Sequence, residues 1–193
     1  MFSAVHLRSV LSGYCEGNPL SAWVRINSDS HKLVKQGLFE VLSNEQDKNV
    51  RNVLCDLIGE LGATIQGFDQ SDKKKLGEEG IQWQELMPNL KEYLSSGKNH
   101  FIVSALKILA NLFTYAGDDY VEHADDLWKI FQTNLNNDDI QVKAAALEAF
   151  GSFVETVDSK DARKFTELIP DALRATVIIV SNNEDLVEKK LFQ

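Results

Sequence analysis

The chain has 193 residues, which is enough for one large domain or two small ones and for a sizeable hydrophobic core. Hydrophobic residues make up 44% of the chain and charged residues 25%, as is typical of soluble folded proteins. The formal net charge of −9 argues against a nucleic-acid partner, because the phosphates would be repelled, and it favours basic partners.

The first part of the chain predicts three helices and one long loop. A helical pattern over residues 2–12 is followed by a connector rich in Gly, Asn and Pro. Ser28 or Ser30 is the expected N-cap of a helix that ends near residue 43, and Asp47 is the expected N-cap of the next. The polar segment 67–81 has no helical period, and we predict that it is an exposed loop. The Asp47 helix is expected to bury Val50, Val53, Leu54, Leu57, Ile58 and Leu61.

From Trp83 onward, helices follow one another with short links, and short links imply antiparallel hairpins. Pro88 and Pro170 fall within these helical patterns and are expected to bend their helices. The first two predicted helices span 83–95 and 99–116. The third is capped by Asp118 or Asp119 and ends near 135, and the fourth is capped by Asp138 or Asp139 and ends near 157. The fifth is opened by Ser159 or Asp161 and ends before Asn182, and the sixth begins at Glu184.

A 41-residue repeat organises these helices. Leu86, Leu127 and Leu168 recur at this interval, each after an acidic residue. A second series marks the alternate helices, at Val50, Ile102 and Val142. A period near 40 built from two amphipathic helices indicates HEAT-type repeats, in which each unit buries its apolar face against its neighbours. We therefore predict an all-α fold, a right-handed α-solenoid of antiparallel helix hairpins. It is expected to span residues 1–193 as one segment of about four repeats, incomplete at both ends because neither terminal helix looks capped.

Aromatic residues in the second half lie at helical spacing and are expected to form the core between stacked hairpins. Trp128 is the exception, because its repeat equivalents Met87 and Ile169 lie beside prolines. We predict that Trp128 lines a groove between outer helices that accepts apolar side chains of a peptide.

No arrangement of residues in the sequence points to catalysis. The four histidines have no metal-binding spacing, and neither a phosphate-binding glycine loop nor a nucleophile elbow occurs. Cys15 and Cys55 are far apart and are interpreted as reduced thiols. The longest apolar stretch, 175–180, is too short to cross a bilayer. We expect no enzyme activity, no cofactor, no metal and no membrane insertion.

Several stretches, taken in order, resemble the karyopherin-β (importin-β) family, and among its branches the importin-five branch, also called karyopherin beta three. Residues 3–11 resemble the end of that branch's second HEAT repeat. The other stretches that carry the resemblance are 49–51 with Cys55-Asp56 and Glu60-Leu61, Gln82-Trp83-Gln84-Glu85-Leu86, and 165–170 with its Leu-Ile-Pro ending.

The resemblance implies an N-terminal HEAT-repeat fragment of a nuclear import receptor. Such receptors bind protein cargo, the GTP form of Ran and Phe-Gly nucleoporins, and they pass between cytoplasm and nucleus through the nuclear pore. In the family, the inner helices of the N-terminal repeats bind Ran. The corresponding positions here are those on the inner helices that lie outside the stripe predicted to be buried. They are Asn52, Asp56, Glu60, Ser104, Lys107, Ile108, Asn111, Ala144 and Glu148.

Two functional hypotheses follow from this pattern. In the first, an acidic concave face of a transport receptor meets basic cargo or Ran. In the second, the chain is a HEAT-repeat scaffold of another class, such as a phosphatase scaffold or a vesicle-coat adaptor. The ordered stretches around Val50, Trp83 and Leu168 favour the first.

Overall fold

The computed structural model describes residues 22–67, 76 and 80–191, and the predicted helix at 2–12 lies outside them. All regular secondary structure in the described residues is helical, and the predicted all-α helical-repeat solenoid is confirmed. The helices are α1 (Ala22–Arg25), α2 (Ser28–Asn44), α3 (Lys48–Gln66), α4 (Leu86–Ser95), α5 (Asn99–Ala116), α6 (Ala124–Leu135), α7 (Ile140–Thr156), α8 (Ser159–Ala162) and α9 (Ile169–Leu191), with 3-10 helices at Gly117–His123 and Arg163–Leu168.

The helices form two layers. In one layer α3, α5 and α7 pack on one another in chain order, and we call them the inner helices. The other layer contains α2, α4, α6 and α9, which we call the outer helices. Each of α2, α4 and α6 packs against the inner helix that follows it, and α9 packs against α7, which precedes it.

Small residues allow the inner helices to approach closely. A Cβ atom at Gly59 of α3 would lie 3.0 Å from the carbonyl oxygen of Ile108 in α5 and would overlap the Asn111 side chain. On α7, Ala145 and Ala149 are fully or almost fully buried. Residues with small side chains therefore allow the short distance between the backbones of the inner helices.

The aspartate caps of the inner helices are as predicted. Asp47 accepts hydrogen bonds from the backbone N–H groups of Asn49 and Val50, and Asp139 caps α7 in the same way. The cap of α2 is different from the prediction. Asn27 has the extended backbone of an N-cap and accepts from Ser30 N at 2.9 Å, so neither predicted serine caps this helix.

Three outer helices begin later than predicted. The chain at 83–85 forms a turn in which Leu86 N bonds to the Trp83 carbonyl, and α4 begins only at Leu86. Asp118 and Asp119 do not cap α6, because they lie within the first 3-10 helix. The second 3-10 helix likewise precedes α9. The predicted break at Asn182 is absent, since α9 continues through Leu191.

Pro88 and Pro170 lie two repeats apart, near the starts of their helices. Pro88 is the third residue of α4 and Pro170 the second of α9. Pro88 follows a turn, so its missing N–H is among the first-turn groups that have no partner inside the helix, and the predicted loss of a hydrogen bond does not apply to it. Pro170 continues directly from the 3-10 helix that ends at Leu168, and its predicted bend stays a prediction.

The two repeat series lie in the core as predicted. Leu86, Leu127 and Leu168 are each at most 3% exposed, and Ile102 and Val142 are buried, whereas Val50 is half-buried. Four phenylalanines from successive helices form one cluster of mainly edge-to-face contacts, with ring centroids 5.0–6.2 Å apart: Phe113, Phe131, Phe153 and Phe165.

The far end of the predicted 67–81 loop is attached to α1 and α2. Trp23 Nε1 donates to the Gly80 carbonyl at 2.8 Å, and Lys35 Nζ donates to the Gln82 carbonyl at 2.9 Å. Leu76 and Gly80 are buried, so the loop is not exposed at these two residues. Most of the segment lies outside the described residues, and its exposure there stays a prediction.

Candidate functional site

The predicted inner-face residues are spread over the three inner helices. Asn52, Asp56 and Glu60 are half-buried along α3, and Lys107 and Asn111 are half-buried on α5. On α7, Glu148 and Ala144 are exposed. The structure brings Asp56 and Asn111 together, since Asn111 Nδ2 donates to Asp56 Oδ1 at 3.2 Å.

Two of the predicted positions do not lie on an open face. Ser104 is 3% exposed, and its hydroxyl donates to the His100 carbonyl at 2.9 Å. Ile108 is fully buried. The prediction was wrong for both because α5 lies between α3 and α7, which cover it on two sides. One amphipathic stripe predicts the buried residues of a helix that packs on one side only. A helix in the middle of a stack is packed on two sides and buries more residues than the stripe.

At the predicted inner-face positions carboxylates outnumber cations, although Lys48 and Arg51 at the start of α3 add positive charge to the same helices. Asp56, Glu60 and Glu148 are accompanied by one lysine, Lys107, among the predicted positions. Three of these four side chains are half-buried, and partial burial strengthens charge interactions relative to bulk water. The part of the surface formed by Asp56, Glu60 and Glu148 is therefore suited to a basic group of a partner.

A polar cleft lies at the edge where the inner helices begin, and its volume is about 410 Å³. Lys48 and Arg51 of α3 line it together with His100 of α5 and Asp139, the cap of α7. Inside it, Asn99 Nδ2 donates a hydrogen bond of 2.8 Å to Asp139 Oδ2. The cleft thus joins three successive hairpins.

Asp139 has a lowered pKa. Partial burial acts to raise it, but hydrogen bonds from two backbone N–H groups of α7 and from the Asn99 amide lower it, and the charge of Lys48 adds to their effect. The pKa of Asp139 is therefore below its ordinary value, and the carboxylate is ionised at neutral pH.

The pKa of His100 is also lowered, but for an imidazole this favours the uncharged form. Desolvation lowers the pKa of its imidazole, and the positive charges of Arg51 and Lys98 lower it further. His100 is accordingly neutral at neutral pH, and it contributes hydrogen-bonding capacity to the cleft without adding charge.

Cys55 is a buried free thiol. Burial raises the pKa of Cys55 to about 12, with a hydrogen bond to Ser104 acting in the other direction. A thiol that stays protonated at neutral pH is a poor nucleophile. Among the described residues, no three His, Cys, Asp or Glu side chains are grouped as metal ligands would be.

An apolar groove lies between the outer helices α4 and α6. Met87, Leu90 and Leu94 line it from α4, and Leu127 and Ile130 line it from α6. The enclosed part has a volume of about 170 Å³, and beside it lies a more open trench of about 380 Å³ that shares Leu94 and Ile130 with it and is edged by charged residues of both helices.

Trp128 is not part of this groove. It is half-buried and packs against the core, while its neighbour Leu127 and Ile130 line the groove. Adjacent residues on a helix diverge by about 100°, so a position beside a buried leucine points elsewhere. The spacing of Met87, Leu90 and Leu94 along one side of α4 is the signal that would have located it.

No helix among the described residues has the length and apolar character needed to span a membrane.

Comparison with known proteins indicates what kind of repeat this is. The model of a family described as "IPO5-like, TPR repeats" matches residues 46–193, which contain α3 to α9. No curated protein and no solved structure matches the chain.

Proposed function

The chain belongs to the IPO5-like repeat family and forms an importin-type helical repeat segment, and from this we propose that it is part of a nuclear import receptor of the importin-five branch. The receptor binds protein cargo, the GTP form of Ran and Phe-Gly nucleoporins. It passes between cytoplasm and nucleus through the nuclear pore.

The three carboxylates at the predicted inner-helix positions are the observation that carries the cargo part of the proposal. Asp56 and Glu60 follow each other by one helical turn on α3, and Glu148 extends the same charge to α7. Complementary charge speeds and orients the encounter with a basic protein, and the attraction weakens as salt rises. Ran is proposed to contact the same inner helices.

The outer groove supports the nucleoporin part of the proposal. Its floor is aliphatic, at Leu90, Leu94 and Ile130, and its rim is polar, at Lys91 and Asp126. A phenylalanine ring would be buried by the aliphatic floor, and flanking glycines would let the peptide backbone approach the rim.

A binding measurement separates this proposal from a scaffold of another HEAT class. The chain is titrated with Ran that carries a non-hydrolysable GTP analogue and, in parallel, with Ran that carries GDP. An import receptor prefers the GTP form, whereas a phosphatase scaffold or coat adaptor does not distinguish the two. Absent or equal binding of both forms would contradict the Ran part of the proposal.

A second titration tests the groove independently. Peptides with Phe-Gly repeats are compared with peptides in which serine replaces phenylalanine. Binding of the Phe-Gly peptides alone is expected, and equal affinity for both would argue against the groove as a nucleoporin site.

A further inference from the structure

Three cationic side chains belong to the starts of two inner helices, where positive charge is disfavoured. Lys48 is the first residue of α3, and Arg51 is the fourth. Lys98 is the N-cap residue of α5. The N-terminus of a helix carries the positive end of the helix dipole, so a cation in the first turn destabilises the helix. Residues that work against the stability of a fold are expected where they serve a function.

Lys48 and Arg51 line the polar cleft, and neither forms an ion pair with another described residue. The charge of Lys48 acts on Asp139, but Lys48 Nζ makes no hydrogen bond within the described part of the chain. Arg51 Nη1 donates to the Glu45 and Gln46 carbonyls at 3.2 and 3.1 Å. These two bonds fix the guanidinium and use only one of its three nitrogens, so the others can bind a ligand.

The polar cleft also contains uncharged groups that can form hydrogen bonds. Asn52 lines it from α3, His100 from α5 and Gln141 from α7. Their side chains make no hydrogen bond to another described residue. In addition, no side chain caps α5, whereas aspartates cap α3 and α7. The first backbone N–H groups of α5, at Asn99 and His100, therefore also lack a capping partner.

The carboxylate in the cleft, Asp139, is already hydrogen-bonded through both oxygens. Oδ1 accepts from the N–H groups of Gln141 and Val142 at 2.7 and 3.2 Å, and Oδ2 accepts from Asn99 Nδ2 at 2.8 Å. With His100 uncharged, the two cations and Asp139 leave the lining residues with a net charge of +1. One carboxylate balances this charge, whereas a phosphate group, with a charge of about −1.5 to −2 at neutral pH, exceeds it.

We propose that the polar cleft binds the carboxylate side chain of a glutamate or aspartate in an extended segment of a partner protein. Arg51 and Lys48 hold the carboxylate through charge-assisted hydrogen bonds. Asn52 and Gln141 bond the peptide backbone on either side, because an amide side chain both donates and accepts. The cleft volume of about 410 Å³ lies within the range of about 300–1,000 Å³ that is usual for ligand sites. This site does not depend on the proposed import function.

An NMR titration of the full chain with two capped tripeptides tests the site. The peptides are acetyl-Gly-Glu-Gly-amide and acetyl-Gly-Gln-Gly-amide, which differ only in the charged group, and ionic strength is held constant. The backbone amide signals of Asn99 and His100 and the Nε signal of Arg51 report on the cleft. The glutamate peptide is expected to shift them saturably and to bind at least about ten times more tightly than the glutamine peptide. Equal affinities, or no saturable shift at these signals, would overturn the proposal.

Substitutions at Lys48 separate binding from folding. Lys48→Gln is expected to weaken binding of the glutamate peptide by about fivefold, whereas Lys48→Arg keeps the charge and the affinity. The urea midpoint of Lys48→Gln is expected to equal or exceed that of the parent chain, because a cation is removed from the start of a helix. Lys129→Gln on the outer helix α6 makes the same change in net charge away from the cleft and is the control. Equal weakening by Lys48→Gln and Lys129→Gln would overturn the proposal.

A third ligand, inorganic phosphate, distinguishes a carboxylate site from a phosphate site. Phosphate is expected to shift the same signals less strongly than the glutamate peptide at equal concentration, because its second charge is not balanced and it offers no backbone to Asn52 and Gln141. Tighter binding of phosphate than of the glutamate peptide would overturn the assignment of the cleft to a carboxylate.

Discussion

Asn99 and Asp139, forty residues apart and at the starts of two successive inner helices, are joined by a hydrogen bond of 2.8 Å from amide to carboxylate. The same carboxylate caps α7 through two backbone N–H groups. One side chain thus both starts a helix and links that helix to the preceding hairpin.

This relationship predicts the effect of removing the carboxylate. Asp139→Ala is expected to lower the free energy of unfolding by about 1 kcal/mol at neutral pH, mainly through loss of the cap. Asp138→Ala is the control, because that exposed neighbour does not cap α7. Urea unfolding of both variants measures the difference, and equal losses would show that capping by Asp139 is not the cause.

The contribution of Asp139 also depends on pH in a defined direction. Its pKa is lower in the folded chain than its ordinary value, so the stabilisation is complete above the unfolded-state pKa and is lost as pH falls through the folded-state pKa. The difference in unfolding free energy between the parent and Asp139→Asn, which retains a capping oxygen but not the charge, is expected to shrink in that acidic range. A difference that stays constant with pH would exclude a charge effect.

The close approach of α3 and α5 predicts that glycine is required at one position and not at another. Gly59→Ala is expected to destabilise the chain by about 1–3 kcal/mol, because the new methyl group meets the Ile108 carbonyl and the Asn111 side chain. Gly151→Ala on α7 is the matched control, since nothing lies within 4 Å of its Cβ position. That variant is expected to be more stable by about 0.5–1 kcal/mol, through helix propensity. Chemical denaturation of the pair measures both effects, and similar stabilities would contradict this packing.

Charge reversal tests the inner face without disturbing the fold. Glu148→Lys is expected to weaken binding of a basic protein by about fivefold at low salt, which corresponds to about 1 kcal/mol. Glu92→Lys makes the same change in net charge on an exposed site of the outer helix α4 and serves as control. Asp56 is less suitable, because it accepts the hydrogen bond from Asn111 and its reversal also affects stability. Equal weakening by both variants would indicate a net-charge effect only.

The outer groove is tested by placing a charge on its floor. Leu94→Lys is expected to reduce the affinity for Phe-Gly peptides by about tenfold, because the phenylalanine ring loses aliphatic surface against which to pack. Leu33→Lys changes an exposed leucine on α2, away from the groove, and is the control. Unchanged affinity in the Leu94 variant would place the peptide elsewhere.

Features governed by nearby residues were predictable from the sequence. The aspartate caps at Asp47 and Asp139 depend on N–H groups two and three residues away, and the buried Leu86, Leu127 and Leu168 follow a regular period. The cap of α2 also depends only on nearby residues, so Asn27 could have been identified from the sequence. It was missed because Ser28 and Ser30, which lie next to it, are equally good capping residues.

Features that depend on neighbouring repeats were not predictable from the pattern of a single helix. Ser104 and Ile108 looked like surface positions, yet α3 and α7 bury them from two sides. The groove likewise requires two outer helices at once, which is why Leu94 and Ile130 line it and Trp128 does not. Whether any of these residues binds a partner stays a prediction.

The attachment of Gly80 and Gln82 to α1 and α2 has a consequence for how this chain can be lengthened. The connection leaves α3 at Gly67, and Trp23 and Lys35 hold its return through the backbone carbonyls of Gly80 and Gln82. Leu76 is buried in the core, and a Cβ atom at Gly80 would lie 2.9 Å from the His31 ring, so side chains of this segment also matter. A tag or a foreign domain is therefore expected to keep the register of the neighbouring repeats only where it leaves these anchoring residues in place, and there it costs about 0.6 kcal/mol of closure entropy for each doubling of the connection's length.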